Sequence, residues 1–261
     1  MTLLFLAGLA PAFVLAQEGK DSKSASSAED LPDAGELVQK AFDYYRDKAS
    51  VARIRMTIHR ADWEREQVMN VWTVGEKDSL FTIVEPARDR GNGTLKKGNE
   101  MWTFNPKVNR IIKLPPSMMS QSWMGSDFSN NDLAKADALI QDYDHTITGT
   151  EEAGGQTIYL VESIPHPEAP VIWGKERLKI RDDLVFLEEA FYDESGELVK
   201  TLSFEQIEEI SGKLYPRIMT MRPADKPDQY TRIEYLRLEF RDSLPERYFT
   251  RSMLQNPPEL D

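Results

Sequence analysis

The chain carries three histidines, His59, His145 and His166, spread far apart along its 261 residues. His59 falls on the polar face of a predicted strand, and His166 stands between Pro165 and Pro167. Both placements read as solvated or locally bonded imidazole. Asp142, Asp144 and His145 in DYDH come nearest to a ligand set. The two Asp side chains share a face only if that segment is extended, and no glycine-containing calcium loop surrounds them. They read as surface acids beside a helix end. Ser126-Asp127 suggests a nucleophile, yet no histidine lies near it in sequence, so a structural turn or a hinge is expected there. HExxH, GxSxG, GxGxxG and P-loop patterns do not occur. Arg90-Gly91-Asn92-Gly93 reads as a turn and not as a phosphate cradle. With zero cysteines, disulfides, thiolate metal sites and lipidation of an N-terminal Cys are excluded. No catalytic residue, metal ligand or cofactor is therefore expected.

The chemistry that remains is apolar. Met118, Met119, Trp123, Met124 and Phe128 crowd into eleven residues of the stretch Pro115–Gln141, among Ser, Gly and Pro. Methionine is flexible and polarisable, which suits a surface that accepts variable acyl chains. Pro115-Pro116 end the preceding strand, and Gly125 supplies a hinge. Two readings stand side by side: a lid over a cavity, or ordinary core. Ser129 or Asn131 is a helix-cap candidate for a helix running through Leu133, Ala136, Leu139 and Ile140, with Asp132 in its first turn.

The elements around this cluster are mostly strands. Leu37, Val38, Ala41, Phe42 and Tyr45 recur at helical spacing over residues 34–48. The period then drops to two. Ala52, Ile54, Met56 and Ile58 alternate with Arg53, Arg55, Thr57 and His59, the pattern of a half-buried strand. Further strand-like runs cover 67–74, 80–84, 100–104, 110–114 and 157–163, then 177–181, 185–192, 198–206, 217–222 and 231–240. Asp193–Gly196 and Glu152–Gly155 are hairpin turns. Short connections imply antiparallel neighbours, because a parallel crossover needs a dozen or more residues. Ile54, Met56 and Ile58 are expected to line the sheet's apolar face together with Trp72, Trp102 and Phe104, although both faces of the latter strands carry apolar residues. The fold class expected is mainly β with some α, in one domain over 34–261.

Bulk properties narrow the partners. Hydrophobic residues make up 40% and charged residues 29%, enough for a real core. The net charge is −12 with no basic block, so nucleic acid is not an expected partner. Leu3–Leu15 is an apolar run ending in Val14-Leu15-Ala16, the form of a signal peptide over 1–16 with cleavage after Ala16. It is short for a membrane helix, which needs roughly 20 residues. No Lys or Arg precedes the run, which leads us to expect a true start upstream of Met1. Residues 17–33 are polar, Ser-rich and aperiodic, a flexible leader. Export to the periplasm of a Gram-negative envelope follows as the expectation.

Three stretches resemble the outer-membrane lipoprotein-sorting protein family, in its exporter-associated branch. They are EPARDRGNGTLKKGNEMWTFNP (Glu85–Pro106), RIIKLPPSMMSQSWMGSDFSNNDL (Arg110–Leu133) and DYDHTITG (Asp142–Gly149). Weaker matches, SVARIRMTI, YDESGELVKTLSF and LPERYFTRSML, extend the resemblance over most of the chain. It implies an incomplete antiparallel β-barrel, a curved sheet whose mouth is covered by helices over an apolar cavity. In function it implies a periplasmic carrier of lipoprotein acyl chains or another lipid, with an inner-membrane exporter and an outer-membrane acceptor as partners. A sensor or interaction protein of the same fold is the alternative. On the lid reading drawn from composition, Met118, Met119, Trp123, Met124 and Phe128 close over a cavity walled by the strand residues above.

Overall fold

Alternation of Ala52, Ile54, Met56 and Ile58 gives one strand an apolar face, and the computed structural model, which describes residues 31–135 and 137–260, builds its sheet outward from that strand. The expected signal peptide over 1–16, and the leader as far as residue 30, lie outside the described residues.

Helix α1 (Ala34–Arg46) comes first. Asp33 caps it by accepting from the Glu36 N–H at 2.8 Å. Its buried stripe of Leu37, Val38, Ala41 and Phe42 faces the sheet core. Strands β1 (Ala49–His59), β2 (Glu64–Val74), β3 (Asp78–Glu85), β4 (Gly93–Lys97), β5 (Glu100–Asn105) and β6 (Arg110–Lys113) follow as a meander. A crossing segment then carries two short helices, α2 (Asn130–Ala134) and α3 (Ala138–Gln141). The second meander is β7 (Tyr143–Ala153), β8 (Gln156–Pro165), β9 (Lys175–Arg181), β10 (Phe186–Tyr192), β11 (Leu198–Ile210), β12 (Lys213–Pro223) and β13 (Tyr230–Arg241), followed by helix α4 (Arg251–Gln255).

The second meander runs back toward the first, so β13 pairs with β1 and aligns Met56 with Ile233. Among the described residues, thirteen strands form one antiparallel sheet in the order β6-β5-β4-β3-β2-β1-β13-β12-β11-β10-β9-β8-β7. Strands β6 and β7 are its two edges, so the curved sheet stays unclosed.

Two cores sit on opposite faces. The larger holds Ile54, Met56 and Ile58 with α1, Trp123 and Phe128. The smaller holds Trp72, Leu80, Leu95 and Phe104 beneath Phe249 and Leu254, with Trp102 against its side. This corrects the expectation that Trp72, Trp102 and Phe104 share a face with Ile54, Met56 and Ile58. Register gives the reason: Ile54 lies opposite Met69, while Trp72 lies opposite Val51. A shift of one residue moves a side chain to the other face, and β2 is buried continuously from Gln67 to Trp72. Alternation was therefore missing where it was needed to choose the face.

The helix expected through Leu133 and Ile140 is also corrected. It breaks at Lys135, whose backbone (φ −118°, ψ 36°) leaves the helical region.

Candidate functional site

The crossing segment closes over the larger core and is held in place by polar contacts. Ser129 caps α2 by accepting from the Asp132 N–H at 3.1 Å, and the Asp132 carboxylate accepts from the Ser129 N–H at 2.7 Å, a reciprocal capping box. Ser126 is 1% exposed, and its hydroxyl donates to the Trp123 carbonyl at 2.7 Å. That is the structural turn expected at Ser126-Asp127. Gly125 adopts φ +76°, and a Cβ there would meet Arg65 at 3.1 Å, so the turn and the close guanidinium both select glycine. The Arg65 guanidinium in turn donates to the Met124 carbonyl.

Asp127 ties the segment to the sheet. It pairs with Arg60 at 3.0 Å and accepts from the Thr231 hydroxyl at 2.7 Å. Replacing Asp127 by alanine is expected to cost about 1.5–3 kcal/mol, because hydrogen bonds to a charged group are lost and Arg60 keeps its charge with no carboxylate opposite. Urea unfolding measures this, and a loss within error of zero would show that the tether carries no stability.

Trp123 is 2% exposed, donates from Nε1 to Thr94 Oγ1 at 3.0 Å, and meets Phe81 edge-on with centroids 5.1 Å apart. Trp123 thus anchors the cover to the sheet by the contacts a core residue makes. Met118, Met119 and Met124 are only partly buried against the same core.

Beneath the cover lies a cavity of about 260 Å³. Phe42 and Tyr45 of α1, Ile54 of β1 and Phe81 of β3 line it, with Phe186, Phe191, Leu202 and Phe204 from β10 and β11. Val171, Ile172 and Trp173 border it, and Ile172 is 40% exposed, so this loop marks its mouth. The loop is seated by Gly174, where a Cβ would lie 2.6 Å from the Asp193 carbonyl oxygen.

Of the residues expected at the site, Ile54, Trp123 and Phe128 line the cavity. Met56 and Ile58 belong to the same core but stand behind its wall. Met118 and Met124 border a second, more polar depression with Gln67, Asn92 and Arg110, which Phe104 also reaches. Trp72 and Trp102 pack on the far side of the sheet.

One cluster at the wall escaped the sequence reading. Glu176 is 5% exposed and lines the cavity with Glu189, Tyr143 and Asp132. Burial raises the Glu176 pKa well above its usual range, and the neighbouring Glu189 charge adds to the effect. Burial, then the charge of Asp132, pushes Glu189 up to about 7. Burial likewise raises the Tyr143 hydroxyl, with the Glu176 charge next in importance. Asp132 is paired with Lys200, whose ammonium also lies 4.9 Å from the Trp173 ring centroid. The usable signal was parity: Glu176 alternates in step with the inward Leu178 and Ile180, and Lys200 with Leu202 and Phe204.

An acid whose folded pKa is raised binds a proton that the unfolded chain has already released. Its contribution is therefore complete below the unfolded value, near 4.3, and is lost as pH rises through about 7. Glu189→Gln abolishes this titration, so its stability relative to the parent should rise between pH 5 and pH 8. Equal urea midpoint differences at both pH values would contradict the assignment.

His145 and His166 are held locally. His145 Nδ1 lies 2.8 Å from Ser163 Oγ, and His166 Nε2 lies 3.3 Å from Asp144 Oδ1. Among the described residues, no group of three or more His, Cys, Asp or Glu is arranged to hold a metal ion. No described helix is long and apolar enough to cross a membrane.

Comparison with known proteins places this geometry. A family model described as an uncharacterized protein matches residues 75–256. No curated protein matches the chain. A DUF1329 family protein from Desulfovibrio piger is similar at 24% identity and TM-score 0.76, over 85% of this chain and 97% of that one. A domain from Vibrio parahaemolyticus named for outer-membrane lipoprotein sorting is 21% identical with TM-score 0.74, over 85% and 98% of the two chains. A LolA superfamily protein from Nitrosomonas europaea is 25% identical with TM-score 0.71, over 85% and 99%.

Proposed function

Because the chain belongs to the family matched over residues 75–256, whose fold is that of the LolA-superfamily lipoprotein-sorting proteins, we propose that it is a periplasmic carrier that shields acyl chains of lipoproteins or of another lipid. The observation that carries this reading is the apolar cavity enclosed between the concave face and the crossing segment, with Ile172 at its mouth. Its volume of about 260 Å³ is just under the roughly 300–1,000 Å³ usual for small-molecule pockets. That suits one chain or part of one.

The energetics are adequate without polar chemistry. Each buried methylene supplies about 0.8 kcal/mol, so about ten of them reach 8 kcal/mol, the micromolar range. The apolar run ending at Ala16 supports export, and an inner-membrane exporter and an outer-membrane acceptor are the partners such a carrier would use.

The test is chemical. Protein recovered from the periplasmic fraction without detergent is extracted with organic solvent, and the extract is read by mass spectrometry. The reading expects an acyl-bearing molecule near one per chain. A ligand-free protein that also fails to take up any acyl chain would count against it.

A further inference from the structure

Acyl chains need no carboxylates, yet Glu176, Glu189 and Asp132 all line this cavity. The Oε2 atom of Glu176 has no hydrogen-bond partner among the described residues, although the residue is 5% exposed. A buried polar atom left unpaired costs free energy unless something satisfies it. The neighbouring strands bring Glu189 close. Glu176 of β9 lies opposite Phe191 of β10, and Glu189 lies opposite Leu178 of β9, one step along on the same face. Such diagonal neighbours are within reach of long side chains.

The lysines nearby are already engaged. Lys200 of β11 is paired with Asp132 of α2 and lies 3.4 Å from the Asp127 carbonyl oxygen. Lys135 donates to the Pro170 carbonyl. From β7, the Tyr143 hydroxyl lies 3.4 Å from the Trp173 carbonyl oxygen and also stands within hydrogen-bonding reach of the Glu176 carboxyl group. From β8, Ser163 stands opposite Glu176 and is occupied by His145. Arg46, whose Nε has no hydrogen-bond partner among the described residues, lines the same cavity from the end of α1 with Thr73 and Ser79 of β2 and β3, at the other end of the strand order from β9 and β10. With Asp132 matched to Lys200, two carboxylates remain at this wall.

We propose that Glu176 and Glu189 form a receptor for a primary ammonium, the head group of an amphiphile whose chain lies in the apolar cavity. This rests on the lipid-carrier reading. An ammonium brings three donors and one positive charge, which two carboxylates accept as charge-assisted hydrogen bonds. The aromatic faces of Trp173 and Phe191 complete the site, as they already do for the Lys200 ammonium at 4.9 and 5.2 Å. Ammonium binding favours the ionised carboxylates, and burial raises the pKa of both, so affinity rises with pH.

The experiment displaces N-phenylnaphthylamine with dodecylamine, dodecanol or dodecanoate, each below its micellar concentration, at pH 8. The proteins are the parent and the near-isosteric double variant Glu176→Gln/Glu189→Gln, with Glu189→Gln alone as a second variant. In the parent, dodecylamine should bind at least about tenfold more tightly than dodecanol, the scale of one strong ionic contact. The double variant should lose that preference while keeping its affinity for dodecanol, and Glu189→Gln alone should lose part of it. Equal affinity for amine and alcohol in the parent, a preference that survives in both variants, or tightest binding of dodecanoate overturns the proposal and leaves the carrier reading standing. If none of the three displaces the dye, the carrier reading falls and takes the proposal with it.

Discussion

Truncating Trp123 to alanine is expected to lower stability by about 3–5 kcal/mol, the usual range for a buried aromatic, and to weaken acyl-probe binding in the same protein. The indole is 2% exposed, edge-packed on Phe81 and bonded to Thr94, so its removal leaves both a void and an unpaired hydroxyl. It also lines the cavity, so the void opens into the proposed ligand space. A flexible cover would behave differently, losing affinity with little loss of stability. Urea unfolding and probe titration of one variant separate the two. A stability loss under about 1 kcal/mol would mean that the indole moves freely, against the packing described.

Trp72→Ala should cost a comparable 3–5 kcal/mol and leave probe affinity unchanged. Trp72 is 1% exposed and belongs to the core beneath Phe249 and Leu254, on the face away from the cavity. The pair of tryptophan variants therefore identifies the ligand face without a bound structure. If Trp72→Ala weakens the probe as much as Trp123→Ala does, at a concentration where both proteins are folded, the assignment of faces is wrong.

The parts of the fold that could be read in the sequence were those where burial follows a simple period. Strand β1 and helix α1 each bury one clean stripe, and the hairpins at Asp193–Gly196 and Glu152–Gly155 carry turn residues that few other structures tolerate. Antiparallel order followed from short connections. Strands β4 and β7 were not recognised, because β4 buries Thr94 and Lys96 beside Leu95, and β7 begins in the polar DYDH. The face of Trp72 was undecidable from pattern in a strand buried on both sides. In the candidate site, composition pointed to Trp123 and Phe128 and to the crossing segment. It missed the walls supplied by β10 and β11, whose residues meet the cover only through the long return of the second meander. Glu176 and Glu189 were passed over because isolated acids usually face water.

The most direct measurement is saturable binding of N-phenylnaphthylamine to the parent and to Ala138→Trp, in which an indole replaces a small residue at the cavity wall. The account predicts one site per chain in the parent and at least about a tenfold loss of affinity in the variant, equivalent to 1.4 kcal/mol or more, with the urea midpoint little changed. Equal affinity in the two proteins, or binding that never saturates, would contradict the claim that this cavity holds the ligand.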